Sequence, residues 1–250
     1  SLEGRSPECQ TRSPHRTGMT ATKSTTETTP NLLRAARDLI HEGLHIVPIT
    51  AAKAPAMQKG FTELPVADVT ATCIEKIQKG QVKGIAVVTG PQSVHERNGE
   101  PVALVAIELE GRATDDPRFM AEWEDALVFV GATAVMERLE SGWQESTPSG
   151  GVRWFFTIPV QDREHAKWIS DSVGQARAAK RISDAGETST FAELLLSGHS
   201  TIVAPSYGMT HETGKPWVRV HGGPETVPMV SVQELHVLGA VTATRDGVVL

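Results

Sequence analysis

The chain has 250 residues, 39% of them hydrophobic and 5% aromatic, and a formal net charge of −6. This length and composition suit one large domain or two small ones, and the acidic balance excludes a surface that is basic overall, so nucleic-acid binding would need a local basic groove. No apolar run spans a bilayer, no secretory signal pattern is present, and the two cysteines (Cys9 and Cys73) are too few for a disulfide framework or a cysteine zinc site, so we expect a cytoplasmic protein.

The predicted elements begin after a polar N-terminal segment. Residues 1–29 have little to bury, and we expect them to be disordered, with residues 1–18 a vector-derived leader and Met19 the natural start. An apolar stripe between Thr29-Pro30 and Gly43 predicts the first helix. The next elements are predicted as a strand at 44–49, a helix at about 69–79 and a strand at 84–90.

A strand with two glutamates follows a tight turn. Asn98-Gly99 is typical of a β-hairpin, and the apolar run 102–110 predicts a buried strand. Because side chains alternate along a strand, Glu108 and Glu110 share one face. Neighbouring buried carboxylates repel, and a divalent cation is the usual compensator. The alternative is that the pair lies on the solvated face of a half-buried strand.

The second half of the chain mixes helices and strands without regular alternation. Asp116-Pro117 predicts the start of a helix that runs to about residue 130. The later elements are predicted as a turn at 147–151, a strand at 152–158, an amphipathic helix at 162–180, and strands at 191–196, 200–204 and 217–220. We therefore expect an α+β fold, with one domain at 30–230 and a C-terminal extension or linker at 231–250.

Three further groups of residues carry chemistry. Ser149-Gly150-Gly151 with Arg153 offers a hydroxyl, close backbone approach and a guanidinium, which suit a phosphate, although a plain hairpin turn would look the same. Glu193 in an apolar strand needs a partner, and either a metal site or an ion pair would supply it. His199 could donate to a phosphate, although a lone histidine is more often structural.

The order of these motifs resembles a known family. Lys53-Ala54-Pro55, the 84–90 strand, the paired glutamates, Ser149-Gly150-Gly151 and the tail from Ala204-Pro205-Ser206 to Thr213-Gly214-Lys215-Pro216-Trp217 follow in that order. This arrangement is similar to the prim-pol (bifunctional DNA primase/polymerase) N-terminal domain of phage and plasmid replication proteins, in the archaeo-eukaryotic primase superfamily. The similarity covers roughly residues 31–220.

The resemblance implies a core of two mixed α/β modules, one of them an RNA-recognition-like palm. It implies template-directed nucleotidyl transfer on a DNA template and primer, with NTP or dNTP as substrate and two Mg²⁺ or Mn²⁺ ions as cofactors. The metal carboxylates would be Glu108, Glu110 and Glu193. The nucleotide-binding residues would be Ser149, Gly150, Gly151 and Arg153, with Lys53 and His199 near them. A helicase domain often follows such domains.

Two departures from the family pattern leave an alternative open. The family has Asp-x-Asp or Asp-x-Glu where this chain has Glu108 and Glu110, and a histidine where it has Arg153, which cannot donate a proton at neutral pH. The chain could thus be a non-catalytic DNA- or nucleotide-binding replication module. A hydrolase with paired carboxylates is a third reading, disfavoured by the few aromatics and the phosphate-type turn.

Template contact would need local basic surfaces. The sequence offers two such clusters, of which the first is predicted at the end of the helix at 162–180. The clusters are Arg177, Lys180 and Arg181, and Lys76, Lys79 and Lys83. Each could equally be the solvated face of a helix, and strong salt dependence of DNA binding would distinguish the two.

Overall fold

Two antiparallel sheets with flanking helices make up the fold of the computed structural model, which describes residues 28–174, 178–182 and 186–243. The helices are α1 (Thr28–His41), α2 (Val66–Gln78), α3 (Gly111–Thr114), α4 (Pro117–Phe129), α5 (Thr133–Glu140), α6 (Arg163–Val173) and α7 (Val232–Ala243). The strands are β1 (Ile46–Ile49), β2 (Gly84–Val88), β3 (His95–Arg97), β4 (Glu100–Leu109), β5 (Trp143–Ser146), β6 (Val152–Pro159), β7 (Ala178–Ile182), β8 (Thr188–Leu195), β9 (Ser200–Val203) and β10 (Val218–His221). The predicted α+β class is confirmed. The predicted leader up to residue 27, with Cys9, lies outside the described residues.

A small sheet and a large sheet divide the strands between them. The small sheet has the order β1-β2-β9, and Pro48 lies on its edge strand β1, where the missing amide proton breaks no central ladder. The large sheet has the order β10-β5-β6-β4-β8-β7, with β3 paired to β4. The β3–β4 turn is the predicted hairpin, because Asn98 and Gly99 both adopt positive φ angles. The carboxylate strand β4 thus lies in the middle of the large sheet.

Two apolar cores hold the sheets and helices together. One face of the large sheet packs against α4, α5, α6 and α7, and Phe119, Trp123, Leu139 and Ile169 are buried there. The opposite face packs against the small sheet with α1 and α2, through Trp143, Phe155 and Leu104. The glutamates and Arg153 lie at the edge of this second interface, so the fold places them between the two sheets.

Local sequence rules explain the helix boundaries that the sequence predicts well. Asp116 caps α4 by accepting hydrogen bonds from the amides of Arg118 and Phe119, and Pro117 takes the first helical position. Asp162 caps α6 in the same way through the amide of His165. No helix among the described residues is long and apolar enough to cross a membrane.

The predicted helix at 162–180 is wrong in its second half. Gly174 adopts a left-handed conformation with φ 94° and ends α6, as glycine commonly does after a helix. Lys180 then lies on β7, which pairs with β8, so the predicted basic helix end does not form. Of the other members of that cluster, Arg177 lies outside the described residues, and Arg181 lies on β7.

The C-terminal segment is more structured than its weak pattern indicates. The described part of the predicted extension, residues 231–243, contains α7. Its side chains Leu235, Leu238 and Val241 are buried in the core on the helical side of the large sheet. The folded unit therefore continues beyond residue 230.

Candidate active site

A row of charged side chains crosses four neighbouring strands of the large sheet. Glu145 on β5 is registered opposite Arg153 on β6, Arg153 is opposite Glu108 on β4, and Glu108 is opposite Glu193 on β8. Residues directly opposite each other on antiparallel strands share a face and have Cβ atoms about 5 Å apart. One positive charge thus lies among three carboxylates, on the face that looks toward the small sheet.

Arg153 and Glu108 form a buried ion pair. Their side chains are only 8% and 9% exposed. Nε of Arg153 donates to Oε2 of Glu108 at 2.9 Å, and Nη2 donates to the same oxygen. Nη1 donates to the carbonyl of Ile202 on β9 at 2.6 Å. The guanidinium therefore bridges the two sheets and neutralises the most buried of the three predicted metal carboxylates.

Glu110 and Glu193 lie beside this ion pair but, unlike Glu108, have no ion-pair partner among the described residues. Neither side chain makes a hydrogen bond or an ion pair to another described residue. Burial raises the pKa of Glu110, and the Glu108 carboxylate raises it further. Burial also raises the pKa of Glu193, which His199 opposes and Glu108 reinforces. Two half-buried carboxylates without bound donors beside a third carboxylate form a site that gains from a cation.

One cleft of about 290 Å³ brings most of the predicted site residues together. Its lining comes from both sheets and from the loops at their ends. The lining includes Lys53, Glu108, Glu110, Ser149, Arg153, Glu193 and His199. Seven of the nine predicted site residues therefore share one cavity, although they come from segments that are up to 146 positions apart in the sequence.

The two remaining predicted residues, Gly150 and Gly151, shape the turn rather than line the cleft. The amide of Gly150 donates to the carbonyl of Thr147 at 2.9 Å, and the amide of Gly151 donates to Oγ1 of Thr147 at 3.0 Å. Because both amides are used within the turn, they are not directed at a phosphate. The hydroxyl of Ser149 reaches the cleft and lies 3.0 Å from Oγ1 of Thr147.

Close approach explains why glycine is needed where the turn meets the end of β4. A Cβ on Gly151 would lie 2.4 Å from the carbonyl oxygen of Leu109, and a Cβ on Gly111 would lie 2.0 Å from the carbonyl oxygen of Ser149. No side chain fits either gap. The turn that carries Ser149 therefore packs directly on the strand end that carries Glu108 and Glu110.

Lys53 and His199 enter the cleft from the small-sheet side. Lys53 lies in the loop after β1 with a φ angle of 57°, and its amide donates to the carbonyl of Thr50. His199 lies just before β9, where its Nε2 is 3.1 Å from Oγ of Ser197. These two side chains place basic groups opposite the carboxylate row.

Three further side chains, to which the sequence analysis assigned no role, lie in or behind the cleft. His211 and Trp217 line the cleft, and their rings meet edge to face with centroids 5.6 Å apart. Burial lowers the pKa of His211, and Lys53 lowers it further. Nδ1 of His211 accepts a hydrogen bond from the amide of Thr213 at 3.2 Å, so the neutral ring carries its proton on Nε2. The third residue, Glu145, is fully buried behind Arg153.

The second predicted basic cluster lies away from the carboxylates. Lys79 pairs with Glu75 one turn earlier on the surface of α2. Lys83, in the segment before β2, lies with its Nζ 5.5 Å from the ring centre of Tyr207. Lys76 lies in the last turn of α2. Template binding by this cluster stays a prediction.

The cleft offers oxygen ligands of the type that a hard divalent cation prefers. Glu108, Glu110 and Glu193 offer only carboxylate oxygens, which Mg²⁺ and Mn²⁺ prefer. Among the described residues, no three His, Cys, Asp or Glu side chains are gathered closely enough to hold an ion as they stand. The two hydrogen bonds from Arg153 to Glu108 both go to Oε2, so metal binding there needs Oε1 or the release of Oε2.

Comparison with known proteins does not assign the chain to a family. A scan against protein-family models finds no matching family, and a search of curated proteins finds no relative of significant similarity. The arguments for function therefore come from the motifs in the sequence and from the cleft they form.

Proposed function

We propose that the chain is a metal-dependent nucleotidyl transferase that polymerises nucleotides on a DNA template and also starts strands without a primer, in phage or plasmid replication. The observation that carries this proposal is the single cleft in which three carboxylates face basic groups and a hydroxyl. Phosphoryl transfer needs carboxylates to hold cations and cations or donors to hold phosphates. The resemblance to prim-pol domains supplies the reaction and the substrates.

The residues divide into two groups under this proposal. Glu108, Glu110 and Glu193 would hold Mg²⁺ or Mn²⁺, which would lower the pKa of the attacking 3′-hydroxyl and neutralise the triphosphate. The phosphates of the incoming NTP or dNTP bind the hydroxyl of Ser149 and the side chains of Arg153 and Lys53. His199, on the opposite wall, adds a further donor.

The cleft contains a histidine, His211, although this chain has Arg153 at the position where the family pattern has a histidine. Arg153 stays protonated at neutral pH and cannot give up a proton to a leaving group. His211 lines the same cleft as a neutral imidazole with Nε2 protonated. It can therefore donate a hydrogen bond from Nε2 to the departing pyrophosphate, but as a neutral imidazole it does not give up that proton at neutral pH.

Primer extension tests the proposal. The protein is incubated with a primed DNA template, labelled dNTPs and Mg²⁺ or Mn²⁺, beside the isosteric variants Glu110→Gln and Glu193→Gln. A matched control is Glu124→Gln, since Glu124 is exposed on α4, which covers the opposite face of the large sheet. We expect extension by the wild type and by the control, and its loss in both cleft variants. Products from an unprimed template establish strand initiation.

One observation favours the second candidate, a non-catalytic DNA- or nucleotide-binding replication module. Arg153 already neutralises Glu108, so the fold satisfies this carboxylate without a cation. If the wild type is inert with both metals yet binds nucleotide or DNA, the binding module replaces the polymerase. If the Glu110→Gln and Glu193→Gln variants extend primers as well as the wild type, the carboxylates are not the catalytic centre.

A further inference from the structure

Glu145 is a fully buried carboxylate with two specific donors. Its Oε1 accepts a hydrogen bond from Nε1 of Trp143 at 2.9 Å, and its Oε2 accepts one from the amide of Ala204 at 2.9 Å. Its exposed fraction is 0%, and it does not line the cleft. Burial raises the pKa of Glu145, and the amide of Ala204, the charge of Arg153 and the indole of Trp143 oppose that rise.

Glu145 and Arg153 both form hydrogen bonds to the same segment of the small sheet, at and just after β9. Glu145 and Arg153 are directly opposite each other on β5 and β6, and both reach across to the end of β9. Glu145 holds the amide of Ala204, while Arg153 donates to the carbonyl of Ile202, two residues earlier. The carbonyl that binds one edge of the guanidinium is therefore held by two contacts of this segment, the pairing of β9 with β2 and the bond from Ala204 to Glu145.

We propose that Glu145 is a positioning residue for triphosphate binding, which acts by holding the end of β9 so that the Ile202 carbonyl orients Arg153 toward the cleft. This inference rests on the proposed function, because it assigns the phosphates to Arg153. It extends that function by naming a residue that never touches the nucleotide. Loss of the Glu145 anchor loosens β9 and lets the guanidinium rotate away from the phosphate position.

The variant Glu145→Gln tests this arrangement with little change in shape. A glutamine has one acceptor oxygen where glutamate has two, so either Trp143 or Ala204 loses its acceptor whichever way the amide turns. A matched control is Ser93→Ala, because Ser93 is also buried and bonds backbone groups, accepting from the amide of Leu104 at 2.8 Å. Both variants lose buried hydrogen bonds, but only Glu145→Gln disturbs Arg153.

Calorimetric titration with Mg²⁺–dATP measures the effect on binding, and circular dichroism confirms that each variant is folded. We expect Glu145→Gln to weaken binding by about five- to tenfold, within the range seen for residues of one hydrogen-bond network, and Ser93→Ala to leave it unchanged. In an Arg153→Lys background, which lacks the oriented guanidinium, Glu145→Gln should cause no further loss. If Glu145→Gln does not fold, Glu145→Asp, whose shorter side chain draws the carboxylate away from the amide of Ala204, takes its place in the cycle.

The outcomes separate this inference from the proposed function. If the wild type binds Mg²⁺–dATP and the losses from Glu145→Gln and Arg153→Lys simply add, Glu145 does not act through Arg153 and the inference is overturned. The same holds if Glu145→Gln binds as tightly as the wild type. If the wild type does not bind Mg²⁺–dATP at all, the proposed function fails first, and the role of Glu145 fails with it.

Discussion

Removal of the Arg153 guanidinium should be among the most destabilising single changes in the protein. The variant Arg153→Met keeps most of the side-chain volume but leaves the Glu108 carboxylate, 9% exposed, without its counter-ion. It also removes the donor to the Ile202 carbonyl. Breaking a buried ion pair by removing one partner costs about 3–5 kcal/mol, because the remaining charge stays desolvated. Glu193, directly opposite Glu108, adds like-charge repulsion.

Urea unfolding followed by circular dichroism measures this loss, since urea, unlike guanidinium chloride, does not screen charges. The control Arg118→Met removes an exposed arginine that pairs with Glu122 on α4, and its midpoint should hardly change. The double variant Glu108→Gln/Arg153→Met should regain most of the lost stability, because the uncompensated charge is gone. A loss below about 1 kcal/mol for Arg153→Met, or a double variant as unstable as the sum of its singles, would refute a buried compensating pair.

The cleft carboxylates and the free thiol give three further predictions. Glu193→Gln should stabilise the metal-free protein by roughly 0.2–1 kcal/mol at neutral pH, since it removes like-charge repulsion opposite Glu108; urea midpoints test this, and a lowered midpoint contradicts it. Burial raises the pKa of the Glu110 and Glu193 carboxyl groups in the folded state. At pH values just above the ordinary carboxyl pKa, the folded state therefore binds more protons than the unfolded state, and the destabilisation caused by the two ionised carboxylates becomes smaller as the pH falls. The stability gap between wild type and Glu110→Gln/Glu193→Gln should therefore narrow as the pH falls from neutral toward the ordinary carboxyl pKa; a constant gap refutes the assignment. Burial raises the pKa of Cys73 to about 12, so in a Cys9→Ser background the thiol should resist an aromatic disulfide reagent at pH 8 until urea unfolds the protein; rapid native labelling would contradict this.

Local patterns predict those parts of the fold that depend on neighbouring residues. The Asn98-Gly99 hairpin, the start of α4 at Asp116-Pro117 and the buried strand with Glu108 are all set by short-range chemistry, and the structure confirms them. The i, i+2 spacing also places Glu108 and Glu110 at the same cleft, because alternation along a strand needs no tertiary information.

The features that the sequence did not predict depend on which strands become neighbours. An arginine on β6 becomes the partner of Glu108 only through the register of β4 with β6, which no local pattern specifies. Glu145 and His211 were assigned no role from the sequence for the same reason, since the partners of each come from distant segments. The helix predicted through residue 180 is wrong past Gly174, because the apolar spacing continues there although Gly174 adopts a left-handed conformation and β7 begins at Ala178.

Close backbone contacts between Gly111 and Ser149, and between Gly151 and Leu109, limit the spacing at this end of the cleft, beside the hydrogen bond from Thr114 to the carbonyl of Gly150. Hydrogen bonds can stretch, but two backbones in van der Waals contact cannot move closer, and any added carbon would force them apart. The carboxylate strand and the serine turn are therefore held at a fixed distance from each other. A change of side chain at position 149 leaves these backbone contacts in place, whereas a single methyl group at position 111 or 151 would force the serine turn and the carboxylate strand apart.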